Sequence, residues 1–154
     1  MKIRWKVLII SLILVFLTAF IGSFFTSGNT NSDWYQQIKP SITPPNYVFP
    51  IVWNILFFLI ALSLYFSWIK AKNKNKKKIA IVFSINLILN ILWSFLFFGL
   101  RNPLLGFIEL IILWISIIVM IKTTYKIDKK SSYLLIPYLL WVSFAGILNY
   151  LIAF

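Results

Sequence analysis

Five long apolar segments constrain the fold of this chain more than any other feature. They cover residues 7–25, 47–69, 79–100, 102–121 and 133–154, and Glu109 is the one charged side chain inside them. Each is close to the roughly 20 residues that a helix needs to cross the hydrocarbon core of a bilayer. Because a spanning backbone must satisfy its own hydrogen bonds, helices are expected. The sequence therefore predicts an all-α, multi-pass integral membrane protein with five transmembrane helices in a single bundle.

The composition and the short connections agree with this fold class. Of the 154 residues, 61% are hydrophobic and 12% are charged, whereas a soluble domain has about 25% charged residues. Basic residues precede the first segment, as in a signal peptide. Its apolar core of about 19 residues is longer than that of a signal peptide, however, and no Ala-x-Ala cleavage site follows. We expect a retained helix, and residues 1–154 as a single transmembrane domain.

The distribution of basic residues predicts which helix ends face the cytoplasm. The net charge is +12, and all of the 15 basic residues except Lys39 and Arg101 either precede the first segment, with Lys2 among them, or lie within residues 70–78 and 122–130. This bias is the positive-inside signature. We expect the N-terminus inside, the loop of residues 26–46 outside, the C-terminus outside, and a cytoplasmic membrane. No nucleic-acid partner is predicted. The lysine run could contact a partner or anionic lipid, but a role in topology is favoured.

Residues that carry common enzyme chemistry are scarce. The chain has no Cys and no His, and its acids are Asp33, Glu109 and Asp128. The commonest metal ligands and general bases are therefore lacking, and no metal site is predicted. An ionisable group inside a membrane segment is a functional candidate by default, and Arg101 is the obvious counter-charge for Glu109. We favour a structural role for Glu109.

The stretch of residues 34–53 is rich in proline and aromatic residues. Each proline fixes its own φ and restricts the residue before it, so the connection is semi-rigid. The prolines are Pro40, Pro44, Pro45 and Pro50, and the aromatic residues are Trp34, Tyr35, Tyr47, Phe49 and Trp53. A flexible tether needs no such rings. We interpret the stretch as a lid over an apolar cavity.

The third segment carries a polar and aromatic face. Asn86, Asn90, Trp93, Ser94 and Phe97 recur at helical spacing, so they share one side of the helix. Lipid cannot satisfy a carboxamide, so this face is expected to point into the protein. Two roles stay open: hydrogen bonds between helices, or the wall of a ligand site.

The second and fifth segments present further aromatic faces. The second carries Trp53, Phe57, Ile60 and Leu64 along one side, and the fifth carries Tyr138, Trp141, Ala145 and Leu148. The small residues Ala145 and Gly146 can make either a groove or a close contact between helices. Three such faces, covered by the stiff loop, predict an apolar cavity.

These residues resemble the TspO family, the tryptophan-rich sensory proteins and mitochondrial translocator proteins. The motifs that carry the resemblance are Trp34-Tyr35, Lys39-Pro40, Pro44-Pro45 and Trp53, then residues 86–99, then Arg101, Pro103 and Glu109, and finally residues 137–150. The chain departs from the family at Ile42, which is usually aromatic, and at Gly146, which is usually Thr. No ligand contact is therefore expected at position 42.

The resemblance implies a membrane sensor or regulator that binds tetrapyrroles such as protoporphyrin IX, and other flat hydrophobic ligands, in an intramembrane aromatic cavity. It also implies a homodimer, contact with membrane lipid and no required cofactor. Because the chain has no His or Cys to ligate a haem iron, metal-free porphyrin is preferred. On the family pattern, the residues that would line the cavity are Tyr35, Trp53, Phe57, Asn90, Trp93, Ser94, Phe97, Trp141 and Ala145.

Three alternatives stay open at this point. The protein could be a carrier for porphyrin or another lipophile, although no internal repeat supports alternating access. It could be an enzyme that degrades protoporphyrin IX in light, with Trp53 and Trp141 as candidate catalytic residues. It could also be a helical scaffold without a ligand. No Gly-x-x-x-Gly pair occurs, so no dimer face is predicted.

Overall fold

The structure, a computed structural model, describes residues 3–154. Every regular element in these residues is helical, which confirms the all-α class. Seven α-helices and one π-helical turn follow one another along the chain: α1 Trp5–Thr26, α2 Asp33–Ile38, α3 Val48–Lys70, α4 Asn73–Ser94, the π-helical turn Phe95–Gly99, α5 Pro103–Tyr125, α6 Lys129–Tyr133 and α7 Ile136–Ala153.

Five stretches of the described chain are long and apolar enough to cross a membrane, as predicted: Trp5–Thr26, Val48–Lys70, Asn73–Gly99, Pro103–Tyr125 and Lys129–Ala153. The third joins α4 to the π-helical turn, and the fifth joins α6 to α7. An integral, multi-pass membrane protein is thereby confirmed. Which ends face the cytoplasm stays a prediction, and Lys2, on which it partly rested, lies outside the described residues.

Local capping chemistry explains where several helices begin. The Asn102 Oδ1 accepts a hydrogen bond from the Leu105 N–H at 3.0 Å, and Pro103 follows in the first turn of α5. Pro fits there because its missing N–H would have had no partner within the helix. Ser32 caps α2 in the same way, accepting from the Tyr35 N–H at 3.3 Å.

Two helix boundaries differ from the predicted ones. The helix α4 begins at Asn73, inside the lysine run rather than at residue 79, because lysine is a good helix former and its long side chain carries the charge out to water. The fifth span is interrupted between α6 and α7. Pro137, in the first turn of α7, has no N–H with which to continue a helix from α6.

The long helices pack in a ring. The helix α1 lies between α3 and α4, and α5 lies between α4 and α7, whereas α3 touches α4 and α7 only sparsely. The inward face of α1 carries Ser11, Val15, Thr18 and Gly22, all buried. Such small side chains let helices approach closely where lipid offers no hydrophobic driving force. The main packed core includes Ile60, Phe83, Ile117, Met120 and Leu135.

Contacts between connections define two ends of the bundle. At the lysine-rich end, the Lys70 Nζ lies 2.6 Å from the Asp128 Oδ1, so the 70–78 and 122–130 segments share one boundary. At the other end, the Arg101 guanidinium lies over the Trp34 ring at 5.9 Å, which joins the α4–α5 connection to the loop of residues 26–46.

Asp128 holds the connection between α5 and α6. Its Oδ2 accepts hydrogen bonds from the Ser131 N–H at 3.0 Å and the Ser131 hydroxyl at 2.7 Å. Partial burial acts to raise the pKa of Asp128, but the hydrogen bonds from Lys70 and Ser131, together with the charge of Lys70, hold this pKa below its usual value.

Substitution of Asp128 is expected to separate its capping role from its ion pair. Asp128→Ala should lower the free energy of unfolding by about 1–2 kcal/mol, whereas Asp128→Asn keeps a capping oxygen and should lose less. Because the folded-state pKa is depressed, the contribution of the carboxylate is complete above the unfolded-state pKa of ~3.9 and is lost as the pH falls through the folded-state value. Thermal unfolding in detergent at several pH values measures this, and equal acid sensitivity of wild type and Asp128→Asn would contradict it.

Candidate functional site

Towards the ends that join the loop of residues 26–46, the helices α1, α3, α4 and α7 surround a cavity of about 890 Å³. It lies where α3 makes few contacts with α4 and α7. The walls are therefore faces of well-packed helices, and the space between them is left by the sparse packing of α3. Residues of the loop, among them Thr30, Asn31 and Asn46, complete the lining.

The structure brings all of the sequence-predicted site residues together in this one cavity. The loop contributes Tyr35, α3 contributes Trp53 and Phe57, the α4 span contributes Asn90, Trp93, Ser94 and Phe97, and α7 contributes Trp141 and Ala145. Ile42 is exposed and is not part of the lining.

Aromatic rings make up much of the wall. The Trp93 and Phe97 rings are stacked, with centroids 5.2 Å apart and planes 15° from parallel. Across the cavity, Trp53 packs on Phe57 at 5.4 Å. Trp141 meets the edge of Phe49 at 5.9 Å. These geometries are favourable for aromatic pairs, so the rings hold one another in place and present a preformed apolar surface.

The lid is anchored by aromatic contacts at the end of the α4 span. Tyr35 on α2 is buried and packs on Phe98 at 5.4 Å and on Phe97 at 6.3 Å. This burial raises the pKa of the Tyr35 phenol. A hydrogen bond also joins two parts of the loop: the Asn46 side-chain N–H group donates to the Thr30 carbonyl at 3.3 Å. The contacts of Tyr35 with Phe97 and Phe98 thus dock the loop on the bundle.

A hydrogen-bonded layer lies below the aromatic walls. The Asn90 Nδ2 donates to the Tyr138 hydroxyl at 3.1 Å, and this hydroxyl donates to the Asn86 Oδ1 at 3.3 Å. The Asn86 Nδ2 in turn donates to the Ser116 hydroxyl on α5 at 2.8 Å. Asn86 therefore joins helices, whereas Asn90 joins helices and also lines the cavity. That this wall belongs to a ligand site stays a prediction.

The small residues of α7 also divide between the two roles left open for them. Ala145 lines the cavity. Gly146 faces α5 instead, where a side-chain carbon added to it would lie only 3.2 Å from the Leu110 Cδ2. Ala145 leaves space in the cavity, and Gly146 permits close packing of α7 on α5.

The π-helical turn positions Phe98, which the sequence analysis missed, beside the predicted Phe97. Its wider hydrogen bonding, with the Leu100 N–H donating to the Phe95 carbonyl at 2.8 Å, places Phe97 and Phe98 together against the cavity and the lid. Such turns recur at functional sites. Asn149 was missed as well: its Oδ1 accepts from the Trp93 Nε1 at 3.1 Å and so holds the indole in the wall.

The contribution of α1 was also missed. Thr18, Gly22 and Ser23 line the cavity, and Gly22 lies so close to α4 that an added side-chain carbon would be 3.4 Å from the Ser94 Oγ. The signal was present in the sequence, since Ser11, Thr18 and Gly22 share a helical face in an otherwise apolar segment.

The expected pairing of Glu109 with Arg101 is wrong. Glu109 is 3% exposed and lies inside the bundle on α5, with neither carboxyl oxygen hydrogen-bonded to another described residue. Arg101 adopts a left-handed backbone conformation, φ 49°, after the π-helical turn. This conformation turns its guanidinium outward over Trp34. Glu109 does not line the cavity.

The fold and the site together define a small helical membrane protein with an internal aromatic cavity under a docked loop. A model of the TspO/MBR family matches residues 10–154. The chain belongs to the TspO/MBR family, as the motifs in its sequence indicated.

Individual relatives cover most of the chain. The "Tryptophan-rich protein TspO" of Archaeoglobus fulgidus is 42% identical over 146 residues, which are 94% of each chain. The protein of the same name from Chlorobaculum tepidum is 40% identical over 86% of this chain and 85% of its own length. The human "Translocator protein" is 29% identical over 87% of this chain and 80% of its own length.

Removal of the Tyr138 hydroxyl is expected to weaken the bundle below the cavity. Tyr138→Phe deletes two buried hydrogen bonds between helices and should lower the free energy of unfolding by about 1 kcal/mol. Tyr150→Phe, at an exposed tyrosine of the same helix, is the matched control and should change little. Thermal unfolding of the purified proteins in detergent measures both. Equal stability of the two variants would show that the layer contributes nothing.

Proposed function

We propose that this protein is a membrane sensor or regulator that binds a flat hydrophobic tetrapyrrole, such as metal-free protoporphyrin IX, in the cavity under the loop. The observation that carries the proposal is the aromatic wall: three indoles, Trp53, Trp93 and Trp141, line one cavity. Conjugated rings stack on such walls, with about 0.5–1.5 kcal/mol per pair beyond the burial of apolar area.

The size and polarity of the cavity support this ligand class. Its volume of about 890 Å³ falls within the roughly 300–1,000 Å³ of small-molecule and cofactor sites. No charged side chain lines it within the described residues, which favours a mostly apolar ligand. The Asn90 Oδ1 accepts no hydrogen bond from the described chain and could accept one from a pyrrole N–H group.

The sequence composition favours the metal-free form of the ligand. A haem iron is usually held by His, Cys, Met or Tyr. This chain has no His and no Cys, Met120 does not line the cavity, and of the four ligand types only tyrosine, at Tyr35 and Tyr47, occurs in the described lining. A porphyrin without iron needs none of these ligands.

The names of relatives are consistent with a sensory role. A protein of Cereibacter sphaeroides that is 28% identical is named "Tryptophan-rich sensory protein". A sensor of this kind needs a binding site whose occupancy changes a surface, and the docked loop lies directly over the cavity. We infer that ligand binding alters the packing of the loop on Phe97 and Phe98.

Loss of two indoles is expected to weaken porphyrin binding. Protoporphyrin IX should quench tryptophan emission of the protein in detergent, with an apparent Kd in the micromolar range. In the variant with Trp53→Phe and Trp141→Phe, affinity measured by porphyrin absorbance should fall roughly tenfold, as two stacking contacts are weakened. A control with Trp5→Phe and Trp114→Phe changes indoles outside the cavity. Equal affinity of both double variants would contradict the assignment of porphyrin binding to this cavity.

A bulkier side chain at Ala145 is expected to occupy the ligand's space. Ala145→Phe points into the cavity, whereas Ile147→Phe lies on the exposed side of the same helix. The first should abolish measurable porphyrin binding and the second should leave it unchanged. Thermal stability of both proteins checks that folding is intact. Full binding by a stable Ala145→Phe protein would contradict a ligand in this cavity.

A second candidate function is light-dependent breakdown of the porphyrin. The observation that favours it is the presence of the oxidisable indoles Trp53 and Trp141 in the lining, where an excited porphyrin and oxygen could react with them. An enzyme should consume more than one equivalent of protoporphyrin IX under illumination. Consumption that stops at one equivalent would reduce the reaction to damage of a binding protein.

A further inference from the structure

A second cavity lies on the lipid-facing side of the bundle and extends along α1 from Val7, near the lysine-rich end, to Ile21. It is a groove of about 450 Å³ between α1 and α4, with Trp68 of α3 at its base near the lysine-rich end. Its lining is almost wholly apolar. The hydroxyls of Ser11 and Thr18 on α1 are satisfied within their own helix, by the carbonyls of Val7 at 2.9 Å and Leu14 at 3.3 Å. The groove therefore suits a hydrocarbon rather than a polar ligand.

The groove has the length of a lipid chain. Its walls extend from Ala80 to Ile88 on α4 and from Val7 to Ile21 on α1, about 12 Å and about 21 Å at 1.5 Å per residue. One leaflet of the hydrocarbon core is about 15 Å thick, half of the ~30 Å of the whole core. A chain lying along the helices can thus follow the groove over most of one leaflet.

Basic residues lie at one end of the groove and are not neutralised by the protein. Lys76 and Lys77 precede Ala80 and Ser84 at helical spacing, so they extend the groove face of α4. Arg4 is the residue before α1, one turn ahead of Val7 in the groove lining. Within residues 3–154 the single salt bridge is that of Lys70 with Asp128. The other two acids, Asp33 and Glu109, lie far along the chain from these positions.

One direct contact links the charged end to the apolar groove. The Lys76 Nζ lies over the ring of Trp68 at 5.9 Å, and Trp68 lines the groove. A cation held on an aromatic face keeps its charge beside the apolar surface. An anion bound by Lys76 would therefore lie directly above a hydrocarbon chain in the groove.

We propose that this groove binds one anionic phospholipid, with an acyl chain between α1 and α4 and the phosphate group at Arg4, Lys76 and Lys77. The amphiphile matches the site at both ends: hydrocarbon faces the apolar lining, and negative charge faces cations that lack an internal partner. The groove meets the cavity under the loop at Thr18, which lines both, but the proposed lipid site does not depend on the ligand of that cavity.

A second copy of the chain is a poorer occupant of the groove. Two copies inserted with the same orientation in a membrane would be related by an axis along the membrane normal, so an isologous contact here would bring both basic ends together. Each chain carries a net charge of +12, and like charges at a contact oppose association. An anionic lipid removes this repulsion, whereas a second copy adds to it.

The test compares two variants that each lose three positive charges at the same boundary. The groove variant carries Arg4→Gln, Lys76→Gln and Lys77→Gln, and the matched control carries Lys126→Gln, Lys129→Gln and Lys130→Gln. Each purified protein receives phosphatidylglycerol or phosphatidylcholine with identical acyl chains in neutral detergent, and native mass spectrometry counts the lipid that is retained. Circular dichroism checks that helix content is unchanged.

Wild type and the control variant should retain phosphatidylglycerol over phosphatidylcholine by at least roughly tenfold, and the groove variant should lose most of this preference. Ser84→Phe, which fills the groove from its exposed side, should reduce retention of both lipids. Equal loss of preference in the two charge variants would overturn the proposal, because it would show attraction to the whole basic surface.

A further experiment tests whether a second copy of the chain occupies the groove. The chain has no cysteine, so Ser84→Cys introduces a single thiol in the groove. If lipid occupies the groove, oxidation in membranes should leave this variant monomeric. Efficient disulfide cross-linking of two copies through this thiol would assign the groove to a protein contact and overturn the lipid site. Protoporphyrin IX titration of the same variants should be unchanged, so failure here leaves the proposed function standing.

Discussion

Hydrogen bonds between side chains in an apolar interior hold the bundle in the form that contains a cavity. The Tyr138 hydroxyl accepts from Asn90 and donates to Asn86, and Asn86 reaches Ser116. Three helices are thereby joined at one level. In a bilayer the hydrophobic effect does not drive helices together, because lipid tails are as apolar as leucine. Directional polar contacts of this kind therefore decide which faces meet, and the space above them stays open because α3 is not drawn into the same network.

The lid and the cavity wall are built from the same aromatic residues. Phe97 stacks on Trp93 inside the cavity and meets Tyr35 of the loop on its other side. A change in the position of one ring must move the others, since all of them are in contact. This continuity links the cavity to the surface of the loop, which the proposed ligand-dependent sensor requires.

Helical periodicity accounts for the part of the site that could be predicted from sequence. Asn90, Ser94 and Trp141 each lie on a face whose polar or small residues favour the protein interior over lipid, so the inward direction follows from spacing. Trp53 lies on a wholly apolar face, and the family motif placed it in the site. Periodicity could not place Phe98, because the π-helical turn shifts its direction relative to a regular α-helix. The predicted pairing of Glu109 with Arg101 was also wrong. The two residues are close in the chain, but the backbone before α5 turns the Arg101 side chain away, over Trp34.

The sequence by itself determined the membrane class, the five spans and the inward faces, because these follow from the local cost of placing polar groups in hydrocarbon. It also carried the motifs of the family over most of the chain. Tertiary structure decided that α1 completes the cavity, that Asn149 holds Trp93, and that a groove ends at Lys76. Those outcomes depend on which helices become neighbours. That choice is made by packing among segments far apart in the chain. The small-residue face of α1 marks an inward side but does not say which helices it meets.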